Sequence, residues 1–225
     1  MKKIRTRSHI PPSVIRRLTK YLAFVQGLRA AGVEWVSSQV LAQILGMTSS
    51  TVRQDLSHVD FRGISKRGYA TDGLQRVLAT LLGMDTTWKM VVVGAGNLGR
   101  ALVLHEDFTR RGFIIAGVFD SDRKKIGKRI GRHTIRGMKE LPTYLGQKPA
   151  DIGIIAVPAA GAQGVADQLI ASGVRGLLNM APTHLVAPRD VPVREVRIVA
   201  SVMELSHAIR TATREIKGRG GLRAC

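Results

Sequence analysis

Cysteine is almost absent from this sequence of 225 residues, since the only one is Cys225. A single cysteine excludes an intrachain disulfide and a metal site built from several cysteines. The sequence also lacks an apolar run long enough to cross a membrane. Its basic start, residues 1–5, is not followed by an apolar segment of signal-peptide length, so we expect a cytoplasmic protein without a membrane partner.

Acidic residues are also scarce, with 16 Asp and Glu against 35 Lys and Arg, so the formal net charge is +19. Before Asp85 there are 13 basic and 4 acidic residues, a balance of +9, and from Asp85 onward there are 22 and 12, a balance of +10. The shorter first segment therefore has the higher charge density. This suits a nucleic-acid partner, because Lys and Arg neutralise phosphates. The alternative is a basic protein whose charge only keeps it soluble.

A glycine-rich turn is the most informative motif. A β-branched apolar run ends at Val93, and a helix-capable segment to about Arg110 follows the turn. The turn has the spacing G-x-G-x-x-G of a dinucleotide-binding strand–turn–helix, in which Gly94 makes the turn, Gly96 admits the phosphates and Gly99 lets the helix pack closely. We expect cofactor contacts from the whole turn: Gly94, Ala95, Gly96, Asn97, Leu98 and Gly99. The alternative is a glycine-rich turn without a ligand.

A second strand pattern, Phe113–Phe119, ends at Asp120, where the ribose-binding carboxylate of such a fold is expected. A carboxylate accepts hydrogen bonds from ribose hydroxyls and repels a 2′-phosphate, which favours NAD over NADP. The cations Arg123, Lys124 and Lys125 follow closely and leave NADP open. A CoA-binding domain shares the glycine turn, but Asp120 suits an adenosine ribose that carries no phosphate.

The N-terminal part of the chain predicts a helix-turn-helix. A first helix opens at Pro11–Ser13 and ends near Gly32. Serines then cap a second helix over 38–45, and Gly46 ends it. Thr48 caps a third helix over 49–58, so two short helices meet at a tight turn. The alternative is a pair of ordinary core helices in an α-helical subdomain.

The third helix is the predicted recognition helix, which would enter the major groove. Arg pairs with guanine and Gln with adenine there. Asp55 is expected to orient a neighbouring Arg or to be an ordinary solvated acid. The segment Phe61–Tyr69 contains two glycines and three cations, which favours a hairpin wing over a solvated basic loop. The expected DNA contacts are Thr48, Ser49, Ser50, Arg53, Gln54, Ser57, Lys66 and Arg67.

Later segments complete the predicted parallel sheet. A buried strand over 150–157 ends at Val157-Pro158, which would face the crevice where open α/β sheets bind ligands. Asn179 stands at the end of the next strand and is either a cofactor contact or a turn residue. His184 is the only histidine near the expected crevice, and we see no acid in the sequence that we can pair with it.

The last predicted helix, Ser201–Lys217, has a heptad-like apolar stripe. So short a stripe needs a surface to cover. The helix either packs on its own sheet or on a partner subunit. The stretch 218–225 is expected to be a loose basic tail.

Together these motifs resemble the Rex family of redox-sensing transcriptional repressors. The segments that carry the resemblance are Thr48–Ser57, Arg67–Tyr69, Gly94–Gly99, Phe119-Asp120, Ala156–Pro158 and Leu178–Pro182. The resemblance implies a homodimer of winged-helix and Rossmann subunits that exchange the C-terminal helix. It also implies operator DNA as partner and NADH/NAD+ as regulatory ligand.

Some positions depart from the family pattern. Gln54 stands where the recognition helix usually has Lys, and Ser65 stands where the wing often has Arg. Arg197 stands where an acid often precedes the last helix. Operator preference, and any salt bridge through position 197, are therefore expected to differ.

The sequence thus predicts an α/β chain with a winged-helix domain over 1–84, a doubly wound Rossmann-like domain over 85–200, a dimer-exchange helix over 201–217 and the tail. We expect a non-enzymatic repressor that NADH releases from DNA. The alternative is an NAD-dependent dehydrogenase with a basic N-terminal appendage. That class needs an acid/base group near the nicotinamide and usually its own substrate domain, for which the chain has little room.

Overall fold

The computed structural model describes residues 10–220, with side chains described through residue 212. The chain divides into two units, Met1–Thr87 and Trp88–Cys225. The start of the predicted winged-helix domain and positions 221–225 of the predicted tail lie outside the described residues. Among the described helices, none is both long enough and apolar enough to span a membrane.

Between residues 10 and 87, the first unit contains four helices and one pair of short strands. Its elements are α1 (Pro12–Ala30), β1 (Trp35–Val36), α2 (Ser38–Leu45), α3 (Ser49–Leu56), β2 (Tyr69–Ala70) and α4 (Thr71–Leu81). Strand β1 pairs with β2 antiparallel. The helices enclose one apolar core, whose most deeply buried members include Leu18, Tyr21, Leu41, Val52 and Leu74. This confirms the helix-turn-helix and the wing strand that follows it.

Side-chain caps and a glycine define the two central helices. The Ser37 hydroxyl accepts a hydrogen bond from the Val40 N–H at 3.2 Å and opens α2. Gly46 ends α2 in the left-handed region with φ 65°, which glycine adopts without steric cost. Helix α3 ends at Leu56, two residues earlier than predicted, because the following N–H groups, such as that of Val59, bond three residues back in a tighter turn.

The second unit is built on a seven-stranded sheet in the order β5-β6-β4-β3-β7-β8-β9. All neighbouring strands are parallel except β5 and β6. The strands are β3 (Trp88–Val93), β4 (Phe113–Asp120), β5 (Arg129–Ile130), β6 (His133–Gly137), β7 (Ile152–Ile155), β8 (Gly176–Asn179) and β9 (Val193–Glu195). The chain reverses its winding between β3 and β7, and ligands of doubly wound sheets bind at that point.

Within residues 88–220, five α-helices accompany this sheet. They are α5 (Asn97–Val103), α6 (Glu106–Arg110), α7 (Leu141–Gln147), α8 (Ala159–Ala171) and α9 (Ile198–Gly220). The single helix predicted over 97–110 is wrong, since the chain breaks at Leu104. The His105 ring accepts a hydrogen bond from the Asp107 N–H at 3.3 Å and starts α6 as a separate helix. The strands β5, β6 and β9 were not predicted.

Helix α9 extends beyond its predicted bounds at both ends. It begins at Ile198 and continues through Gly220, so the predicted tail begins as helix. In the single chain its apolar side chains are exposed to solvent. For example, the exposed fraction is 72% for Val199 and 60% for Leu205. An apolar stripe that stays in water is unfavourable, so this surface is available to a partner.

Candidate functional site

The glycine turn lies where the sheet reverses its winding. Gly94 has φ 103°, and a Cβ there would overlap the Ala156 carbonyl. A Cβ at Gly99 would overlap the Gly94 carbonyl oxygen, so α5 approaches the turn as closely as predicted. Beside Gly96, in contrast, a Cβ would meet nothing within 4 Å. The backbone at Gly96 therefore faces open space, and this space fits the approach of a phosphate group.

Asp120 connects this turn to the end of β4. Its Oδ2 accepts a hydrogen bond from the Ala95 N–H at 2.7 Å and from Lys125 Nζ at 3.1 Å. Its Oδ1 accepts one from the Asp122 N–H at 2.8 Å. Burial alone would raise the pKa of Asp120, but these donors hold its pKa below the usual range. The carboxylate is therefore a structural anchor as well as a candidate ribose acceptor.

A cleft of about 900 Å³ opens between the glycine turn and the start of α8. Its volume lies within the range that small-molecule sites occupy. Among the predicted cofactor residues, those that line it are Gly94, Gly96, Asn97, Leu98, Asp120, Val157 and Pro158. Met138 and Val165 add further apolar side chains to its wall. Ala95 and Gly99 are buried, so they contribute through the backbone geometry of the turn.

Asn179 is the last residue of β8 and is fully buried, and its side chain bonds into the turn that follows. Its Nδ2 donates a hydrogen bond to the Thr183 carbonyl at 2.7 Å, and its Oδ1 accepts one from the Ala181 N–H at 3.0 Å. Both ends of the amide are thus used within the turn. The structure supports the turn role for Asn179 that the sequence left open, and gives no contact with the cleft described above.

The buried side of α3 is fixed by an acid. Asp55 is 2% exposed, and its two oxygens accept hydrogen bonds from the Arg17 guanidinium at 2.6 and 2.7 Å. The Tyr21 hydroxyl donates a third, at 2.7 Å. The expectation that Asp55 orients an arginine is confirmed, and that arginine is in α1. Burial raises the pKa of Tyr21, and the charged Asp55 beside it adds to the shift.

The outer side of α3 presents polar groups to solvent. Ser50, Arg53, Gln54 and Ser57 are exposed, and Ser49 is half-buried. Arg53 Nη1 donates a hydrogen bond to the Ser38 hydroxyl at 3.3 Å, which steadies the guanidinium at the surface. The Thr48 hydroxyl accepts the Thr51 N–H at 3.1 Å, so Thr48 acts as the helix cap in this structure. These positions agree with a helix surface that can read base edges.

The predicted wing is a short, tight hairpin. Ile64 and Gly68 form a single antiparallel bridge, and Lys66 at the tip has φ 62°. Lys66 lines a groove of about 500 Å³ that also includes Arg53 and Ser38. The guanidinium carbon of Arg67 lies 4.0 Å from the centroid of a Trp35 ring. Sequence reasoning missed Trp35, because nothing in its local pattern links it to the wing.

Comparison with known proteins bears on both sites. A family model described as CoA binding domain matches residues 85–183, and one described as putative DNA-binding protein N-terminus matches residues 9–57. The redox-sensing transcriptional repressor Rex of Carboxydothermus hydrogenoformans is 43% identical over 201 residues, which are 89% of this chain and 97% of that protein. Rex 1 of Thermotoga maritima is 39% identical over 89% of this chain and 96% of its own length.

The chain belongs to the Rex family of redox-sensing transcriptional repressors.

Solved Rex structures have the same fold. A Rex-family repressor called RSP covers 95% of this chain with a TM-score of 0.86 and 29% identity, and all of RSP is matched. RSP in complex with beta-NADH gives a TM-score of 0.86, with 30% identity and coverage of 94% and 99%. RSP in complex with beta-NAD+ and operator DNA gives 0.85, with 29% identity and coverage of 97% and 100%.

Arg197, which departs from the Rex pattern, directly precedes α9 and makes a cluster of polar contacts there. We call this cluster, formed by Arg197 with Ala181, Thr183 and Glu195, the root of α9. Its guanidinium donates hydrogen bonds to the carbonyls of Ala181 and Thr183. It also lies 3.0 Å from Glu195 Oε2. The other oxygen of Glu195 lies 2.7 Å from His184 Nδ1. The structure thus pairs His184 with an acid that the sequence did not reveal, and the His184 ring is 85% exposed.

Proposed function

We propose that this Rex-family chain represses transcription by binding operator DNA and is released when NADH binds. The observation that carries the proposal is that one chain has both a cleft shaped by a dinucleotide-type turn and an exposed recognition helix. RSP, its relative, has structures with NADH and with NAD+ plus operator DNA. The scarcity of acidic residues favours a polyanionic partner.

For the dinucleotide, the backbone at Gly96 and the carboxylate of Asp120 are the residues we expect to hold the pyrophosphate and the adenosine ribose. The wall made by Val157, Pro158 and Met138 is apolar. An apolar wall favours a neutral ring over a cationic one, because burying an unpaired charge is costly. We infer that this wall contributes to the preference for NADH over NAD+, since only NAD+ has a cationic nicotinamide.

We infer that the repressor is a homodimer paired through α9. The exposed apolar side chains of α9 include Ile198, Val202, Leu205 and Ile209. A two-fold dimer would present two copies of α3 to successive major grooves, about 34–36 Å apart. A ligand that changes this spacing removes one of the two contacts and lowers the affinity.

The direct test is a titration of a protein–DNA complex with each nucleotide. A DNA duplex enriched from a random pool by the wild-type protein is labelled, and binding is followed by fluorescence anisotropy at fixed salt. We expect NADH to release the duplex at much lower concentration than NAD+. Equal effects of both nucleotides would contradict redox sensing, because equal affinity shifts no equilibrium.

Two variants separate the functions of the two units. Arg53→Ala is expected to abolish specific DNA binding and to leave NADH binding unchanged. Gly96→Val places a side chain in open space, at a backbone conformation (φ −78°, ψ −170°) that any residue adopts. It is therefore expected to fold, to lose NADH binding and to keep DNA binding. The Gly146→Ala variant, in α7 where a Cβ meets nothing within 4 Å, is the matched control and should keep both NADH binding and DNA binding.

The alternative of a dehydrogenase has one structural feature in its favour. His184 and Glu195 form a pair that resembles a general base with its orienting acid. We propose that the pair is structural, because Glu195 also binds Arg197 at the root of α9. Consumption of NADH with a panel of aldehydes and 2-oxo acids, lost in His184→Ala, would contradict this proposal.

A further inference from the structure

The base of the wing hairpin packs closely on β1. The Gly68 backbone lies so near Val36 that a Cβ on Gly68 would overlap the Val36 carbonyl. Trp35 and Val36 pair with the two residues of β2 that follow the wing. The close approach at Gly68 brings its neighbour Arg67 beside the ring of Trp35. The position of Arg67 therefore depends on two features. One is the packing of the Gly68 backbone on Val36, and the other is the contact of the Arg67 side chain with Trp35.

Two adjacent cations of the wing have different surroundings. Lys66 lies in the left-handed region at the tip, where the chain reverses, and its side chain is exposed and lines the groove beside Arg53. The guanidinium of Arg67 instead lies over the Trp35 ring, with its central carbon 4.0 Å from the centroid. A guanidinium at this distance is attracted by the negative face of the indole and stacks on it.

We propose that Trp35 is a positioning residue, which holds Arg67 on the flank of the wing so that Lys66 makes the wing's contact with DNA phosphate. This inference rests on the proposed function, since it concerns how the same DNA site is built. Arg67 stabilises the hairpin through Trp35. Lys66, which lines the same groove as Arg53, adds to the positive charge that faces the DNA.

A matched pair of charge variants tests this division. Lys66→Gln and Arg67→Gln each remove one positive charge and put a polar side chain in its place. Neither substitution is meant to change the backbone conformation at its own position. Each lost phosphate contact changes the slope of log affinity against log salt by about 0.9, which at about 0.1 M salt is roughly an eightfold loss. For Lys66→Gln we expect this change of slope and this loss of affinity once for every wing that contacts the DNA. For Arg67→Gln we expect a slope equal to wild type and an affinity within about twofold.

The fluorescence of Trp35, and variants at this position, provide measurements that do not respond to the loss of a charge by itself. The sequence has two tryptophans, so in a Trp88→Phe background the emission reports Trp35. Arg67→Gln is expected to shift this emission, and Lys66→Gln is not. Trp35→Phe keeps a ring and should behave as wild type. In the Trp35→Leu background Arg67 is free to reach phosphate, so adding Arg67→Gln there should now change the salt slope.

The probe is the duplex enriched from a random pool by the wild-type protein, and circular dichroism checks that each variant folds. Equal losses of affinity and slope in Lys66→Gln and Arg67→Gln would overturn the role of Trp35 while leaving the repressor function intact. Failure of the wild type to bind any duplex at low salt would overturn the proposed function itself, and this inference with it. Where Trp35→Leu fails to fold, the two glutamine variants and the emission of Trp35 decide the question.

Discussion

Asp55 of α3 and Arg17 of α1 form a two-point ion pair, with Arg17 Nε 2.6 Å from Asp55 Oδ2 and Nη2 2.7 Å from Oδ1. The acid is buried and the arginine is about one-third exposed. Burial alone would raise the pKa of Asp55, but the Arg17 guanidinium and the Tyr21 hydroxyl hold it below its usual range. The recognition helix is thus fixed to α1 by a charge on the side opposite to its exposed residues.

This pair makes the stability of the first unit depend on pH. Because the pKa of Asp55 is lower in the folded state, its contribution is present above the unfolded value of about 3.9 and is lost as the pH falls through the folded value. We expect Asp55→Ala to cost about 3 kcal/mol at neutral pH, since it leaves Arg17 and Tyr21 without their acceptor. Denaturant unfolding of wild type and variant from pH 7 downward measures both. If the difference in unfolding free energy between wild type and Asp55→Ala stayed constant below pH 4, the lowered pKa of Asp55 would be contradicted.

Asp120 should matter for stability and for NADH binding together. Asp120→Asn replaces one acceptor oxygen by a donor that faces either Ala95 N–H or Asp122 N–H, and that one N–H is left unsatisfied at a cost of about 1–3 kcal/mol. We expect the glycine turn to loosen and NADH affinity to fall. Calorimetry with NADH and thermal unfolding measure the two effects. Lys125→Met is the control, because it keeps both backbone hydrogen bonds and removes only the ion pair made by a lysine that is 37% exposed, worth about 1 kcal/mol.

Helix α9 is expected to control the oligomeric state. Leu205→Glu puts a charge into the apolar stripe and should weaken the dimer by more than about a hundredfold, or roughly 3 kcal/mol. Light scattering after size-exclusion chromatography measures the mass. His207→Glu, about half a helical turn away from Leu205, adds the same charge outside the stripe and should leave the dimer intact. A dimer that survives Leu205→Glu would place the subunit contact elsewhere.

Arg197 is expected to hold the root of α9. Arg197→Ala removes a charged donor from the Ala181 and Thr183 carbonyls, which keep only the Thr183 N–H and Asn179 Nδ2, and it removes the arginine beside Glu195. We expect a loss of about 1–3 kcal/mol and faster hydrogen exchange at residues 179–184 and in the first turn of α9. Arg197→Asp places an acid next to Glu195 and should be worse than alanine. Unchanged exchange in both variants would show that the root is held by other contacts.

The parts of the fold that follow from regular patterns were predicted well. The apolar run before Gly94 gave β3, and the positions of Gly94 and Gly99 gave the geometry of the turn, because only glycine fits there. The capping serine and threonine defined where α2 and α3 begin. Each of these signals depends only on residues close together in the chain, so the sequence alone is enough to predict these elements.

The misses have two physical causes. Strands β5 and β9 have two and three residues, too few to display an alternating pattern. The interactions of Asn179 with Thr183, Trp35 with Arg67, and His184 with Glu195 depend on turns and long-range packing. The binding roles of the site residues stay predictions, because they concern molecules beyond the chain.

The bond between Ala95 N–H and Asp120 has a consequence for evolution. The same carboxylate that would accept the ribose also anchors the backbone of the glycine turn. A descendant that exchanged Asp120 for a neutral residue to admit a 2′-phosphate would at the same step weaken its turn. Ligand specificity and foldability are therefore inherited together at this position, and a change of nucleotide would need a second substitution that supplies another acceptor for Ala95.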